Sequence, residues 1–264
     1  MTLRDWISPL NPPVRDWHGR RVWLVGASSG IGAALAKALL ARGARVALSA
    51  RTRDRLASVA GRQRNALVVP MDATVPEQWH AALAAIEAQW QGVDLVVFCS
   101  AQYQPERSWE ITAAGAQGML TANLASVYFG IETVLPGLLA RKSGALAIVA
   151  SVAGYMGLPN ATVYGPTKAA LINLAELLYV DLRPRGIAVS VINPGFVQTE
   201  LTARNTFAMP ALITPEEAAD YIVAGFAAGR FEIDFPWRFT RVVRFVSRLP
   251  YRLRFALLGR ALGM

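Results

Sequence analysis

Apolar residues fall along this chain in two alternating rhythms. Short runs that are apolar almost throughout, at 21–26 (RVWLVG), 45–50, 66–71, 93–99, 145–151 and 187–193, read as strands buried on both faces. Between them, apolar residues recur at helical spacing. These helices are expected at 31–42, closed by Gly43; at 54–62; at 76–91, with Pro76 suited to a first turn; at 163–183; and at about 215–228. A long helical stretch at about 113–141 is expected to break near Pro136. Strands alternating with helices predict βαβ units, so the expected class is α/β, a single-domain doubly wound parallel sheet. Neither an internal repeat nor a linker interrupts it. The expected division is an N-terminal strap at 1–19, one main domain at 20–235 and a C-terminal extension at 236–264.

The loop joining the first strand to the first helix reads Val25-Gly26-Ala27-Ser28-Ser29-Gly30-Ile31-Gly32. Glycines there let the backbone turn tightly and approach a pyrophosphate seated on the amides of a helix start. Its place after a strand and before a helix makes it a nucleotide-binding candidate rather than a packing turn. The end of the second strand separates the two nicotinamide dinucleotides. An NAD site carries an acid there; this chain carries Ala50, Arg51, Thr52 and Arg53. No carboxylate repels a 2′-phosphate, and the guanidinium of Arg51 can grip one, so NADP(H) is the expected cofactor, with Arg51 and Thr52 at its phosphorylated ribose. Asp72 ends the third strand, where it either accepts from an adenine amine or caps the following loop.

Candidate chemistry sits in residues 151–168, SVAGYMGLPNATVYGPTK. Tyr164 and Lys168 are four apart and share a helix face. A phenol with an ordinary pKa of about 10 is a poor acid near neutral pH. A nearby ammonium favours the phenolate, and a tyrosine tuned in this way passes a proton to and from a carbonyl oxygen. Ser151 adds a hydroxyl upstream.

Composition narrows the classes. The chain has 264 residues, 53% of them hydrophobic, enough for one well-packed domain and unlike a disordered chain. Its single cysteine, Cys99, rules out an internal disulfide; the isolated His18 and His80 do not have metal-ligand spacing, so no metal is expected. The first 21 residues lack an apolar core and carry Asp5, unlike a signal peptide. The longest apolar-leaning run, 145–159, falls short of a membrane span of roughly 18–20 residues. The formal net charge is +9 and uneven: from Arg230 onward, eight arginines stand against Glu232 and Asp234.

The motifs together resemble the short-chain dehydrogenase/reductase family over about residues 20–229. GASSGIG (26–32) matches its glycine motif, with Val25 where the family has Thr; Asn123 in TANLASVYFG matches its active-site asparagine; Ser151, Tyr164 and Lys168 match its catalytic residues; and Asn193-Pro194-Gly195 with Thr199 matches the segment that meets the nicotinamide amide. The resemblance implies a Rossmann fold with cofactor contacts at Gly26, Ser28, Ser29, Gly30, Ile31, Gly32, Ser100, Ala101, Tyr164, Lys168, Pro194, Gly195, Val197 and Thr199. It implies hydride exchange between NADPH and a small-molecule carbonyl or alcohol, with Tyr164 as general acid. Lys168 would lower the Tyr164 pKa and bond the nicotinamide ribose, Ser151 would donate to the carbonyl oxygen, and Asn123 would place a water linking Lys168 to solvent. A homodimer or homotetramer built on the helices at 113–141 and 163–183 is also implied. Each residue has a plainer reading: Asn123 satisfying backbone in a kinked helix, Ser151 ending a strand, Lys168 snorkelling at the surface. One departure stands out. Phe98-Cys99-Ser100-Ala101 replaces the family's frequent N-N-A-G, which bears on the adenosine side; Cys99 reads as a small buried residue rather than a nucleophile.

The extension interleaves apolar and basic residues. As a helix, Val242, Phe245, Val246 and Leu249 fall on one side and Arg241, Arg244 and Arg248 on another; Pro250 breaks it, and Tyr251 to Leu262 continues the pattern. Two readings stay open, a membrane-surface helix or one packed on its own domain or a partner subunit. The first implies a cytoplasmic enzyme peripheral on the inner face of a membrane and an apolar substrate, such as a keto-lipid, aldehyde, sterol or terpenoid. Phe196 and Leu201, with Tyr155 and Met156 opposite, are the expected substrate pocket. Competing classes are a non-catalytic NADP-binding sensor or scaffold, and a nucleic-acid binder. The latter is disfavoured, since no such motif occurs and lysine is limited to Lys37, Lys142 and Lys168.

Overall fold

The computed structural model describes residues 8–205 and 207–261. Residues 1–7 of the expected strap and 262–264 of the extension lie outside them. The frame is a seven-stranded parallel sheet in the order β3-β2-β1-β4-β5-β6-β7. Its strands are β1 (Arg21–Val25), β2 (Arg45–Ser49), β3 (Ala66–Val68), β4 (Leu95–Phe98), β5 (Gly144–Val149), β6 (Ile187–Pro194) and β7 (Glu232–Phe235). The helices are α1 (Gly30–Ala41), α2 (Arg53–Ala60), α3 (Pro76–Trp90), α4 (Ala113–Leu120), α5 (Ser126–Arg141), α6 (Tyr164–Leu182), α7 (Pro215–Ala227), α8 (Trp237–Ser247) and α9 (Tyr251–Ala261). Alternate residues of β1 feed opposite layers. Val22 and Leu24 join a core with α1, α2 and α7, through Leu35, Leu39, Leu56, Ile222 and Phe226. Trp23 and Val25 join a core with α3, α5 and α6, through Trp79, Ile86, Val127 and Leu171. Burial on both faces explains why the strands read as unbroken apolar runs. Chain order reverses at β1, which lies between β2 and β4, and such a switch point leaves a crevice above the strand ends.

Two expectations need correction. The helix at 113–141 does not break at Pro136, which α5 carries on its exposed side, where solvent can serve the carbonyl freed by the missing N–H. It is interrupted instead at Thr121–Ala125, where the Ser126 amide reaches back five residues to the Thr121 carbonyl. The third strand ends at Val68 rather than at 71, although the amides of Val69 and Met71 still bond Leu48 and Ala50 of the neighbouring strand. By length and composition Ala113–Arg141 could also cross a membrane; here Val127, Ile131, Val134 and Leu138 are buried against the sheet as a core helix.

Residues 8–19 fasten the far side. Trp17 is buried, the Val14 amide bonds Phe226, and the Asn11 side chain donates to Val189 at 2.8 Å and to the Arg230 carbonyl at 3.2 Å. The expected edge strand near 231–235 is β7. Past it, α8 packs through Thr240 and Val243, leaving Val242 and Phe245 exposed, so the apolar stripe read from the sequence is not the side that meets the domain. The chain turns at Leu249-Pro250 into α9.

Candidate active site

Val25, Ala50, Met71, Cys99, Val149 and Pro194 stand at or just beyond the carboxyl ends of six strands, and all line one open cleft of about 770 Å³. Its β1–β2 end is a backbone cradle. A Cβ on Gly26 would lie 2.5 Å from the Ser100 nitrogen, and one on Gly32 would lie 2.1 Å from the Gly26 oxygen. Gly30 has φ +53° and faces the Thr199 side chain, where a Cβ would come within 2.9 Å. Only glycine fits these three places, and the α1 amides are left open to the cleft. Ser28, Ser29 and Ile31 complete the loop; Arg51, Thr52 and Asp72 follow, and Ser100, Ala101, Pro194, Gly195, Val197 and Thr199 line the cleft further along. Asp72 accepts from the Thr74 amide at 2.9 Å and hydroxyl at 2.7 Å, so it does cap its loop. Burial opposes its charge, but those bonds and the charge of Arg51 prevail and hold its carboxyl below the usual range.

The β5–β6 end is made of side chains. Ser151 follows β5, accepts from the Ala153 amide at 3.1 Å and donates to the Pro194 carbonyl at 3.5 Å; Tyr164 opens α6 beside it. Lys168, one turn on, is fully buried. Its Nζ donates to the Val149 carbonyl at 2.9 Å and lies 5.4 Å from the centre of the Tyr164 ring. Burial brings Lys168 down to about 8. The expected lowering of the phenol does not occur. Desolvation pushes Tyr164 well above its ordinary value, against the opposing effect of the Ser151 hydroxyl. Cys99, recessed beside them, is pushed up to about 11 by desolvation, which leaves a poor nucleophile. Among the described residues no cluster of His, Cys, Asp and Glu could hold a metal ion.

The sequence profile of the short chain dehydrogenase family matches residues 20–209. The chain belongs to that family. It is therefore an oxidoreductase whose family uses nicotinamide cofactors. An uncharacterized oxidoreductase of Myxococcus xanthus (strain DK1622) is 34% identical over 235 residues, 88% of this chain and 93% of its own. Another, from Staphylococcus haemolyticus (strain JCSC1435), is 30% identical over 210 residues, 79% of this chain and 91% of its own. A solved short-chain dehydrogenase from Streptomyces avermitilis superposes with a TM-score of 0.75 at 24% identity, covering 86% of this chain and 92% of that one, a likeness of fold.

In this chain, three of the four catalytic candidates meet in the cleft: Ser151, Tyr164 and Lys168. Asn123 is buried outside its lining. Its Oδ1 accepts from the Gln102 amide at 2.6 Å, and its Nδ2 donates to the Gln102 carbonyl at 2.8 Å and to Thr167 at 3.3 Å. Of the substrate-pocket candidates, Leu201 lines the cleft whereas Tyr155, Met156 and Phe196 do not. The Tyr155 hydroxyl donates to Glu232 at 2.5 Å and accepts from Arg244 at 2.9 Å, and Phe196 meets Phe207 edge-on at 5.9 Å and Phe239 at a tilt at 5.5 Å. Tyr155 and Phe196 thus each meet a residue of the extension, Arg244 and Phe239.

Sequence reasoning missed Tyr103. Its ring meets that of Tyr164 edge-on at 4.9 Å, its hydroxyl bonds Asn205 at 2.9 Å, and its carbonyl accepts from Arg204 at 3.0 Å. The loops after β4 and β6 are thus tied together over the phenol. Its place in the loop after the fourth strand, beside the switch point, was the available signal. Arg55 was missed too; it pairs with Glu200 across the cleft.

Proposed function

We propose that this chain is an NADP(H)-dependent oxidoreductase that interconverts a carbonyl and an alcohol on an apolar substrate, with Tyr164 as general acid and base. The supporting observation is that Ser151, Tyr164 and Lys168 converge at one end of a cleft whose other end is a glycine cradle flanked by Arg51. A dinucleotide fits the residues present: side chains are excluded at Gly26, Gly30 and Gly32, and the end of β2 offers a guanidinium and no carboxylate. Gly26, Ser28, Ser29, Gly30, Ile31 and Gly32 would hold its pyrophosphate, Arg51 and Thr52 its 2′-phosphate, Asp72, Ser100 and Ala101 its adenosine side, and Pro194, Gly195, Val197 and Thr199 its amide end. When bound, the cofactor supplies or accepts the hydride.

The rest of the work falls to the chain. Desolvation keeps Tyr164 protonated at neutral pH, so its Oη holds the proton that the oxygen of a carbonyl being reduced would take. Ser151 Oγ, in the same cleft as that phenol, offers a second donor where negative charge develops. Lys168 Nζ, cationic below about pH 8, balances the phenolate that the proton leaves behind. Asn123 is a positioning residue, locking the Gln102 main chain and Thr167 around the site. Tyr103 and Leu201 give the reacting end apolar walls, which supports an apolar substrate. Exposed Leu177 and Val180 on α6 and Tyr128 on α5 support a homodimer or homotetramer. A cytoplasmic location fits this reading.

The test is NADPH oxidation against ketones and aldehydes graded from small and polar to long and apolar, with NADH in parallel. Turnover with NADPH at least about tenfold faster than with NADH, rising with substrate apolarity, is expected. Tight NADPH binding without turnover on any substrate overturns the enzymatic reading in favour of an NADP-binding sensor.

A further inference from the structure

The last described elements expose what the rest of the molecule buries. α8 is held on one side: Thr240 and Val243 are buried, a Cβ at Gly195 would meet the Phe239 ring at 2.8 Å, and Arg244 is paired with Glu232 and bonded to Tyr155. Its other side shows Trp237, Val242 and Phe245, the last two 60% and 66% exposed. In α9 no residue between Tyr251 and Arg260 is buried; Tyr251, Leu253 and Phe255 are 68%, 56% and 62% exposed. So many contiguous rings and aliphatic side chains in water mark an interaction surface.

Charge says what covers it. Residues 236–264 hold seven arginines and no acid. Among the described residues, Arg244 is the one of these in a salt bridge. Arg254 turns back onto the carbonyls of Ser247 and Leu249, and Arg238 and Arg241 lie over the Trp237 ring at 5.3 and 4.9 Å. Arg248, Arg252 and Arg260 are exposed among the apolar residues. We infer that α8 and α9 form a docking surface for an anionic lipid bilayer, with Trp237, Phe245 and Phe255 entering the headgroup–acyl boundary and the arginines meeting lipid phosphates. A second copy of this chain fits poorly, since pairing the extension with itself sets seven arginines against seven with no acid between them. A nucleic acid would meet the charge but leave the rings in water. The surface also adjoins the loop that carries Leu201 to the cleft, because Phe239 packs on Gly195 and Phe196.

The test uses the full chain and co-sedimentation with vesicles of phosphatidylcholine alone or mixed with phosphatidylglycerol. Binding to the anionic vesicles should be at least about tenfold tighter than to neutral ones and should weaken as salt rises. R248Q/R252Q/R260Q should lose about fivefold per charge, roughly a hundredfold together. F245S/F255S should lose more than about tenfold on vesicles, with its thermal melt unchanged because both rings are solvent-exposed. The inference is overturned if wild-type protein stays in the supernatant with anionic vesicles at low salt, or if both variants still sediment like wild type. It is equally overturned if F245S/F255S binds vesicles normally but breaks up a wild-type oligomer, which would make the surface a subunit contact.

Discussion

The two ends of the cleft are built from opposite materials. At the β1–β2 end, the cleft is lined by main-chain amides and by guanidinium groups that stay in solvent, such as Arg51 and Arg55. At the β5–β6 end it is lined by side chains, and the Lys168 ammonium is buried on a backbone carbonyl. Exposed arginines contribute little to folding, so that end can exchange partners at small cost. A buried ammonium costs the fold free energy, so its retention points to a use other than stability.

The sharpest way to break this contrast is at the phenol. Tyr164→Phe should cut kcat about 10²- to 10⁴-fold while NADPH affinity, followed by fluorescence, stays within about twofold; wild-type turnover would remove Tyr164 from the chemistry. Ser151→Ala should cost about 10² in kcat with little change in cofactor KM. A variant that shifts only the cofactor KM would move Ser151 to the binding end.

Lys168→Met should lose activity yet stabilise the protein at pH 7, on the order of 1 to 3 kcal/mol, the relieved desolvation exceeding the lost bond to Val149. The sign follows from its folded pKa of about 8, below the ordinary 10.5. Between those values the unfolded chain holds a proton that the folded one has released, so stability from this group is lowest below pH 8 and rises with pH through the window. Urea melts should show the gap between variant and wild type narrowing by pH 10. At the other end, Arg51→Gln should raise the NADPH KM about tenfold and leave that for NADH unchanged, an effect that fades in high salt. Equal effects on both cofactors would mean that Arg51 does not read the phosphate.

What could be read in advance follows the same contrast. The cradle depends on backbone conformation, which glycines announce by position, and Gly26, Gly30 and Gly32 stand in the cleft as their spacing implied. Strands buried on both faces announce themselves as apolar runs. Side-chain direction after an irregular turn has no such signature. The short helical turn at Val152–Gly154 leaves Tyr155 facing Glu232, which lies 77 residues away in sequence. Nor does spacing weigh desolvation against charge: Tyr164 and Lys168 share a helix face as expected, yet burial governs both. Pro136 misled because its effect depends on which side of the helix meets water.

The core layer shared by α1 and α7 also bears on how the protein is made. Leu35 and Leu39 are sealed by Ile222 and Phe226, and Asn11 waits for the carbonyl of Arg230. A ribosome therefore releases Gly30–Ala41 with its apolar side bare and leaves it so until Pro215–Ala227 has been translated. The helix after the glycine loop, among the first made, is one of the last to be covered, and that is where the nascent chain needs shielding from aggregation.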